Sequence, residues 1–140
     1  DVHYKQKYTE IILEKGGTFY SLIHPSTIIY QNTKIGQGVI IGQNVMLSCD
    51  IVIGDHVIIH SNSCLGHDVK IGNYCSLGAF TFMGGFSQID DFVTLHPRVS
   101  VNPYKKIKTR SIVGAGSVVM RNVRESVTVH GNPAIEIFSE

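Results

Sequence analysis

Every sixth residue from Ile23 onward is aliphatic or methionine, and the register does not slip. It runs through Ile23, Ile29, Ile35, Ile41, Leu47, Ile53, Ile59, Leu65, Ile71, Leu77, Met83, Ile89, Leu95, Val101, Ile107, Val113 and Val119, 17 positions in all. Two residues before each stands a small or β-branched side chain in 16 of the 17 cases, Lys105 being the exception. A period of two puts both members of such a pair on one face of a short strand. Glycine follows the aliphatic residue eight times, and Ser48, Asp90 and Asn102 are turn formers at the same place. Each hexad therefore reads as a short strand and a corner, with glycine expected where the backbone needs positive φ.

Repeats of this length indicate an all-β fold, a β-helix. Three hexads close a triangular coil of 18 residues, and coils stack at about 4.8 Å with aliphatic ladders inside. Seventeen hexads give just under six coils. The weakest hexad is Asn102-Pro103-Tyr104-Lys105-Lys106-Ile107-Lys108, and residues 103–110 form either a coil or a loop that keeps the count. After Val119 the beat ends; Val127-Thr128-Val129 suits one more strand, and Gly131-Asn132-Pro133-Ala134 turns the chain away. Before the repeat, Tyr4, Tyr8, Ile11 and Ile12 share helical spacing opposite Lys5, Lys7, Glu10, Glu14 and Lys15, and Gly16-Gly17 ends that helix. The chain thus divides into an N-terminal helix and linker (1–22), a β-helix (23–120) and a C-terminal strand and cap (121–140). The apolar side of the helix is expected to cover the open end of the coil or to belong to a further domain.

Composition removes several function classes. The 140 residues carry a net charge of +1, so no bulk field favours nucleic acid or a membrane surface. No apolar run is long enough to cross a bilayer, and no signal-peptide pattern is present, which suggests a cytoplasmic location. Cys49, Cys64 and Cys75 make an odd count without metal-type spacing, so they read as thiols in a reducing compartment.

The hexads, together with Val113-Gly114-Ala115-Gly116-Ser117-Val118-Val119 and the closing Val129-His130-Gly131-Asn132-Pro133-Ala134, resemble the hexapeptide-repeat acyltransferases over about residues 21–138. The resemblance implies a left-handed parallel β-helix, a homotrimer and acetyl-coenzyme A as co-substrate, with no metal. Ser21-Leu22-Ile23-His24-Pro25-Ser26 and Gly66-His67-Asp68 are similar to a narrower branch, the sialic acid O-acetyltransferases and nucleotide-amino-sugar N-acetyltransferases of bacterial surface glycans. In that branch an N-terminal nucleotide-sugar domain precedes the Ile-His-Pro motif, so residues 1–22 look like the remnant of such a domain. The resemblance makes His67 the general base and Asp68 the acid that raises its basicity. It assigns cofactor contacts to Ser76, Pro97, Ala115 and the main-chain amide of Gly85. His60 stands where a related N-acetyltransferase places asparagine near the substrate, which leaves the acceptor open.

The same stretch argues for itself chemically. His67 lies at a corner, two residues past Leu65, and points outward. Imidazole changes charge near neutrality, as a base must, and a neighbouring carboxylate holds its tautomer. One coil later the same corner is Gly84-Gly85, which leaves space above His67 and offers an N–H to an oxyanion. Ser61, Ala79, Pro97 and Ala115 repeat every 18 residues, a strip of small or flat residues suited to a pantetheine arm. No acid occurs between Phe92 and Arg124, a stretch holding seven of the twelve basic residues, which either meets coenzyme phosphates or is a solvated face. No nucleophile is placed beside the base, so direct attack on the thioester is expected, with Cys64 the nearest thiol in sequence. Two rivals remain. His24, His60 and His96 share a column, as in the zinc sites of γ-class carbonic anhydrases, although Val101 stands where a third ligand is needed. A non-enzymatic scaffold would not need the Gly84-Gly85 gap.

Overall fold

The computed structural model describes residues 2–139, with side chains from Tyr4 onward; Asp1 and Glu140, the ends of the two terminal segments, lie outside the described residues. After a helix α1 (Val2–Glu14) come 17 two-residue strands, from β1 (Leu22–Ile23) to β17 (Val118–Val119), each starting six residues after the last. Each strand from β1 to β14 pairs in parallel with the one 18 residues on, so the strands form three sheets, the faces of a triangular parallel β-helix. The segment around Lys106–Ile107 is a regular strand paired with Gln88–Ile89, so the weak hexad is a coil and not a loop.

The second residue of each strand points inward. Leu47, Ile59, Leu65, Leu77, Met83 and Val101 are fully buried in one continuous core. The residue two before it also points inward, and most polar ones bond the corner: Ser63 Oγ donates to His60 O at 2.9 Å and Thr81 Oγ1 to Gly78 O at 2.7 Å, whereas the buried Ser87 Oγ has no partner among the described residues. Burying such hydroxyls without partners would cost about 1–3 kcal/mol each.

The corners correct one expectation. From Asn32 to Gly116 every sixth residue has positive φ, between 55° and 70°. These residues stand three after the inward aliphatic, not directly after it. The glycine that follows the aliphatic serves a different end: a Cβ on Gly66 would lie 2.8 Å from Gly85 N, and one on Gly78 2.4 Å from Pro97 N. Those glycines let stacked coils approach. The left-handed residues are held by inter-coil bonds, such as Asp68 N–H to Cys49 O (3.1 Å) and Phe86 N–H to His67 O (2.9 Å).

The helix forms where the spacing predicts it but does not cover the open end of the coil, the first of the two expectations for its apolar side. Gly16 N–H donates to Leu13 O and Gly17 N–H to Ile12 O, the Schellman ending that the two glycines suggest. However, Tyr4 and Tyr8 are 62% and 60% exposed, whereas Thr9 is buried. The helix packs along a corner rather than over the open end. Lys5 Nζ donates to His56 O, and Phe19 meets the His56 ring edge-on at 4.8 Å. The docking face is set by a polar contact and a small Thr, which apolar periodicity does not register. At the other end β18 (Val127–Gly131) adds to the first sheet and turns into the antiparallel β19 (Ala134–Ser139).

Candidate active site

The strand β8 (Cys64–Leu65) delivers the chain to the corner of Gly66, His67 and Asp68, and β11 (Phe82–Met83) delivers it to the same corner one coil on. Asp68 has φ 58°, which turns two adjacent side chains to the same outward side. His67 Nδ1 and Asp68 Oδ2 are 2.9 Å apart, with the two side chains 53% and 39% exposed. The imidazole leans over the next coil. A Cβ on Gly85 would stand 2.8 Å from His67 Nε2, so only glycine seats the ring there.

The Gly85 amide is left out of the ladder. Its neighbours are engaged, Gly84 N–H by Val101 O and Phe86 N–H by His67 O. At another corner the corresponding amides of Gln37, Asp55 and Asn73 are capped by the side chain one coil on, from Asp55, Asn73 and Asp91. The residue in that place above Gly85 is Pro103, which has no side-chain acceptor. A hydrogen-bond donor and a carboxylate-held imidazole thus flank one space. Two aromatic residues border it and were not singled out from the sequence. Phe86 meets the His67 ring edge-on at 5.1 Å, and Tyr104 stacks on Phe86 at 4.9 Å. The signal for them was present as two bulky residues at a corner position that asparagine or aspartate fills at Asn32, Asp50 and Asp68.

The remaining candidates lie elsewhere. His60, Ser76, Ala79 and Pro97 line one groove of about 300 Å³, joined by Thr94 and His96. Ala115 is one coil above Pro97, whose carbonyl accepts from Gly116 N–H at 2.9 Å. This groove follows β10 (Ser76–Leu77), at the corner between the first and second sheets; His67 and Gly85 stand at the corner between the second and third. One chain therefore carries the candidate residues at two separate corners. The basic residues do not form a single patch: Arg98 lies over Phe80, Arg110 over Phe92, Lys108 pairs with Asp90 and Arg124 with Glu136. Arg98 directly follows Pro97 of the groove. His24, His60 and His96 stand two coils apart, and among the described residues no three His, Cys, Asp or Glu gather as a metal site. Cys75 is buried, its thiol pushed up to about 12 chiefly by desolvation, and burial also raises Cys64. Among the described residues no helix is long and apolar enough to cross a membrane.

Residues 50–85, which hold His67, Asp68, Ser76 and Gly85, match the family model described as bacterial transferase hexapeptide (six repeats). Among solved structures, PerB from Caulobacter crescentus in complex with CoA and GDP-perosamine is 30% identical, with a TM-score of 0.96 over 99% of this chain and 67% of that one. The chain belongs to the hexapeptide-repeat acyltransferases. It spans about two thirds of PerB's length. The acetyltransferase domain of PglB from Neisseria gonorrhoeae shares the fold at 21% identity, with a TM-score of 0.94 over 97% of this chain and 66% of that one. AntD from Bacillus cereus, an N-acyltransferase, shares it at 18% identity, with a TM-score of 0.81 over 85% and 80% of the two chains. No curated protein sequence matches.

Proposed function

We propose that this chain transfers an acetyl group from acetyl-coenzyme A to the amine of a nucleotide-linked amino sugar, with His67 as general base. The carrying observation is the His67 ring seated over Gly85, its Nδ1 bound to Asp68 and its Nε2 beside an unengaged amide. With Nδ1–H donated to Asp68, Nε2 is the acceptor. The neutral amine attacks the thioester carbon, and its proton passes to Nε2. The carbonyl oxygen becomes an oxyanion on the Gly85 amide. The C–S bond then breaks and the sulfur takes the proton from Nε2, leaving the amide and free coenzyme A. No acyl-enzyme is needed. The amine acceptor, rather than a hydroxyl, is favoured by the 30% identity to a perosamine N-acetyltransferase crystallised with GDP-perosamine.

The placement of the candidate residues at two corners supports a homotrimer. The groove of His60, Ser76 and Pro97, with Ala115 above, would hold the pantetheine arm of a coenzyme whose thioester reaches His67 of a neighbouring copy. The outward residues of the first two faces are largely apolar, among them Leu22, Ile40 and Ile112 on one and Ile28, Met46 and Phe82 on the other. The third face carries Lys34, Lys70 and Lys106. A contact between the first side of one copy and the second side of the next is head-to-tail, the kind that generates a ring when its rotation closes.

The test uses this chain with acetyl-coenzyme A and GDP-perosamine as probe acceptor, following coenzyme A release and the acetylated sugar by mass. Turnover that disappears in His67→Ala while acetyl-coenzyme A still binds supports the reading. Wild-type turnover in that variant overturns it, and a stable monomer at micromolar concentration in sedimentation overturns the shared site.

A further inference from the structure

Positive φ is costly for bulky residues and is ordinarily met by glycine, asparagine or aspartate. At the corner of His67 the chain obeys that rule below the imidazole, with Asn32, Asp50 and Asp68. It breaks the rule above, with Phe86 and Tyr104 at φ 58° and 63°. At a different corner His56, Tyr74 and Phe92 share the conformation and have a packing reason. They stack on one another beside Phe19, with Arg110 over Phe92. Phe86 and Tyr104 are 44% and 67% exposed, and no other element of the described chain covers them. Bulky side chains kept in a strained backbone conformation without burial point to function.

Their place says which function. Phe86 directly follows Gly85, and its ring meets the edge of His67 at an interplanar angle of 90°. In the reaction proposed above, the carbonyl oxygen lies on the Gly85 amide and the reacting carbon lies between that amide and His67 Nε2. The side-chain wall next to that space, apart from His67 itself, is the Phe86 ring. Tyr104 stacks behind it almost parallel, at 8°, and blocks its retreat.

We propose that Phe86, braced by Tyr104, is the wall on which the acyl group ends, and that it selects two-carbon donors over longer ones. This rests on the acyltransferase reading of His67 and Gly85. A methyl group lies against the ring, whereas further methylenes press into a side chain that cannot move aside. One methylene in an apolar pocket is worth roughly tenfold to two-hundredfold in discrimination.

The experiment compares the Kd of acetyl-coenzyme A and butyryl-coenzyme A by calorimetry for the wild-type chain, Phe86→Asn and Phe86→Gly. Both replacements suit positive φ, so the fold has no reason to fail. The wild type is expected to prefer acetyl-coenzyme A by roughly tenfold or more. Both variants should bring the two donors within about twofold, with melting temperature near that of the wild type, because relief of the positive-φ cost offsets the lost ring contacts; Tyr104→Ala should relax the preference in part. A wild type without preference, or variants that keep it, overturns the proposal. Variants that dissociate the assembly and keep the preference make Phe86 an interface residue instead. Failure of the wild type to bind either donor is a distinct result that removes the acyltransferase reading itself.

Discussion

Gly85→Ala separates the seat of the imidazole from the stability of the coil. The new Cβ would stand 2.8 Å from His67 Nε2 and 2.9 Å from Cε1, whereas ordinary contact begins at 3.4 Å. The ring must retreat by about 0.6 Å or more, and a misplacement near 1 Å at a reacting group costs on the order of 10²-fold in rate. Nothing else has to move. Its φ lies outside the left-handed region, the nearest atoms are all on the His67 ring, and that side chain is half exposed. Gly→Ala at such a position contributes about 0.4–1 kcal/mol through the unfolded chain, so melting temperature should hold or rise. Gly78→Ala is the contrast. Its Cβ would meet Pro97 N at 2.4 Å and His96 C at 2.7 Å, which are backbone atoms of the next coil. Overpacking of that kind costs roughly 1–3 kcal/mol, and activity should fall with the folded fraction. The assay is turnover by thiol release alongside thermal unfolding for both variants. Full turnover in Gly85→Ala would refute the role of the seat, and so would a loss of turnover that only tracks a loss of fold.

Other perturbations follow from the same geometry. His67→Ala should lower turnover by roughly 10²–10⁴, the range for a positioned base. Asp68→Asn should cost less, since asparagine keeps the positive φ and loses only the charge on Nδ1; an equal loss would make Asp68 more than an orienting group. His56 is held below the ordinary imidazole value of 6.5, first by burial and then by Lys5, against the opposing pull of Asp55. The unfolded chain therefore binds a proton more readily, so stability rises with pH from that lowered value up to about 6.5 and is lost as pH falls through the window. Protection factors in α1, corrected for the intrinsic pH dependence of amide exchange, should fall from pH 7.5 to pH 5, and His56→Asn, which fits φ 57°, should abolish that fall. Cys75, its thiol pushed up to about 12, should stay unmodified by a thiol reagent at pH 8 until the protein unfolds. Modification of three thiols in the native protein would show that the core opens.

The periods explain how much was legible. A residue's place modulo six says whether it faces in, faces out or turns, and modulo 18 says what it stacks on. His67 under Gly85, and Pro97 under Ala115, follow from arithmetic, and the coordinates add distances. What the period cannot carry is the reason for each corner residue. Glycine after the aliphatic was read as a conformational need, but the chain supplies positive φ three positions later and uses glycine where backbones approach. The docking of helix α1 along a corner was not legible, because it depends on Lys5, Thr9 and the His56 carbonyl, which no apolar pattern encodes. The separation of the candidate residues into two corners follows from the same arithmetic. His60 and His67 are seven residues apart, one full hexad and one step, which places them at successive corners of the triangle facing different directions. In the proposed homotrimer the second half of each site would come from another copy, and the apolar first and second faces supply the surface on which that copy would sit.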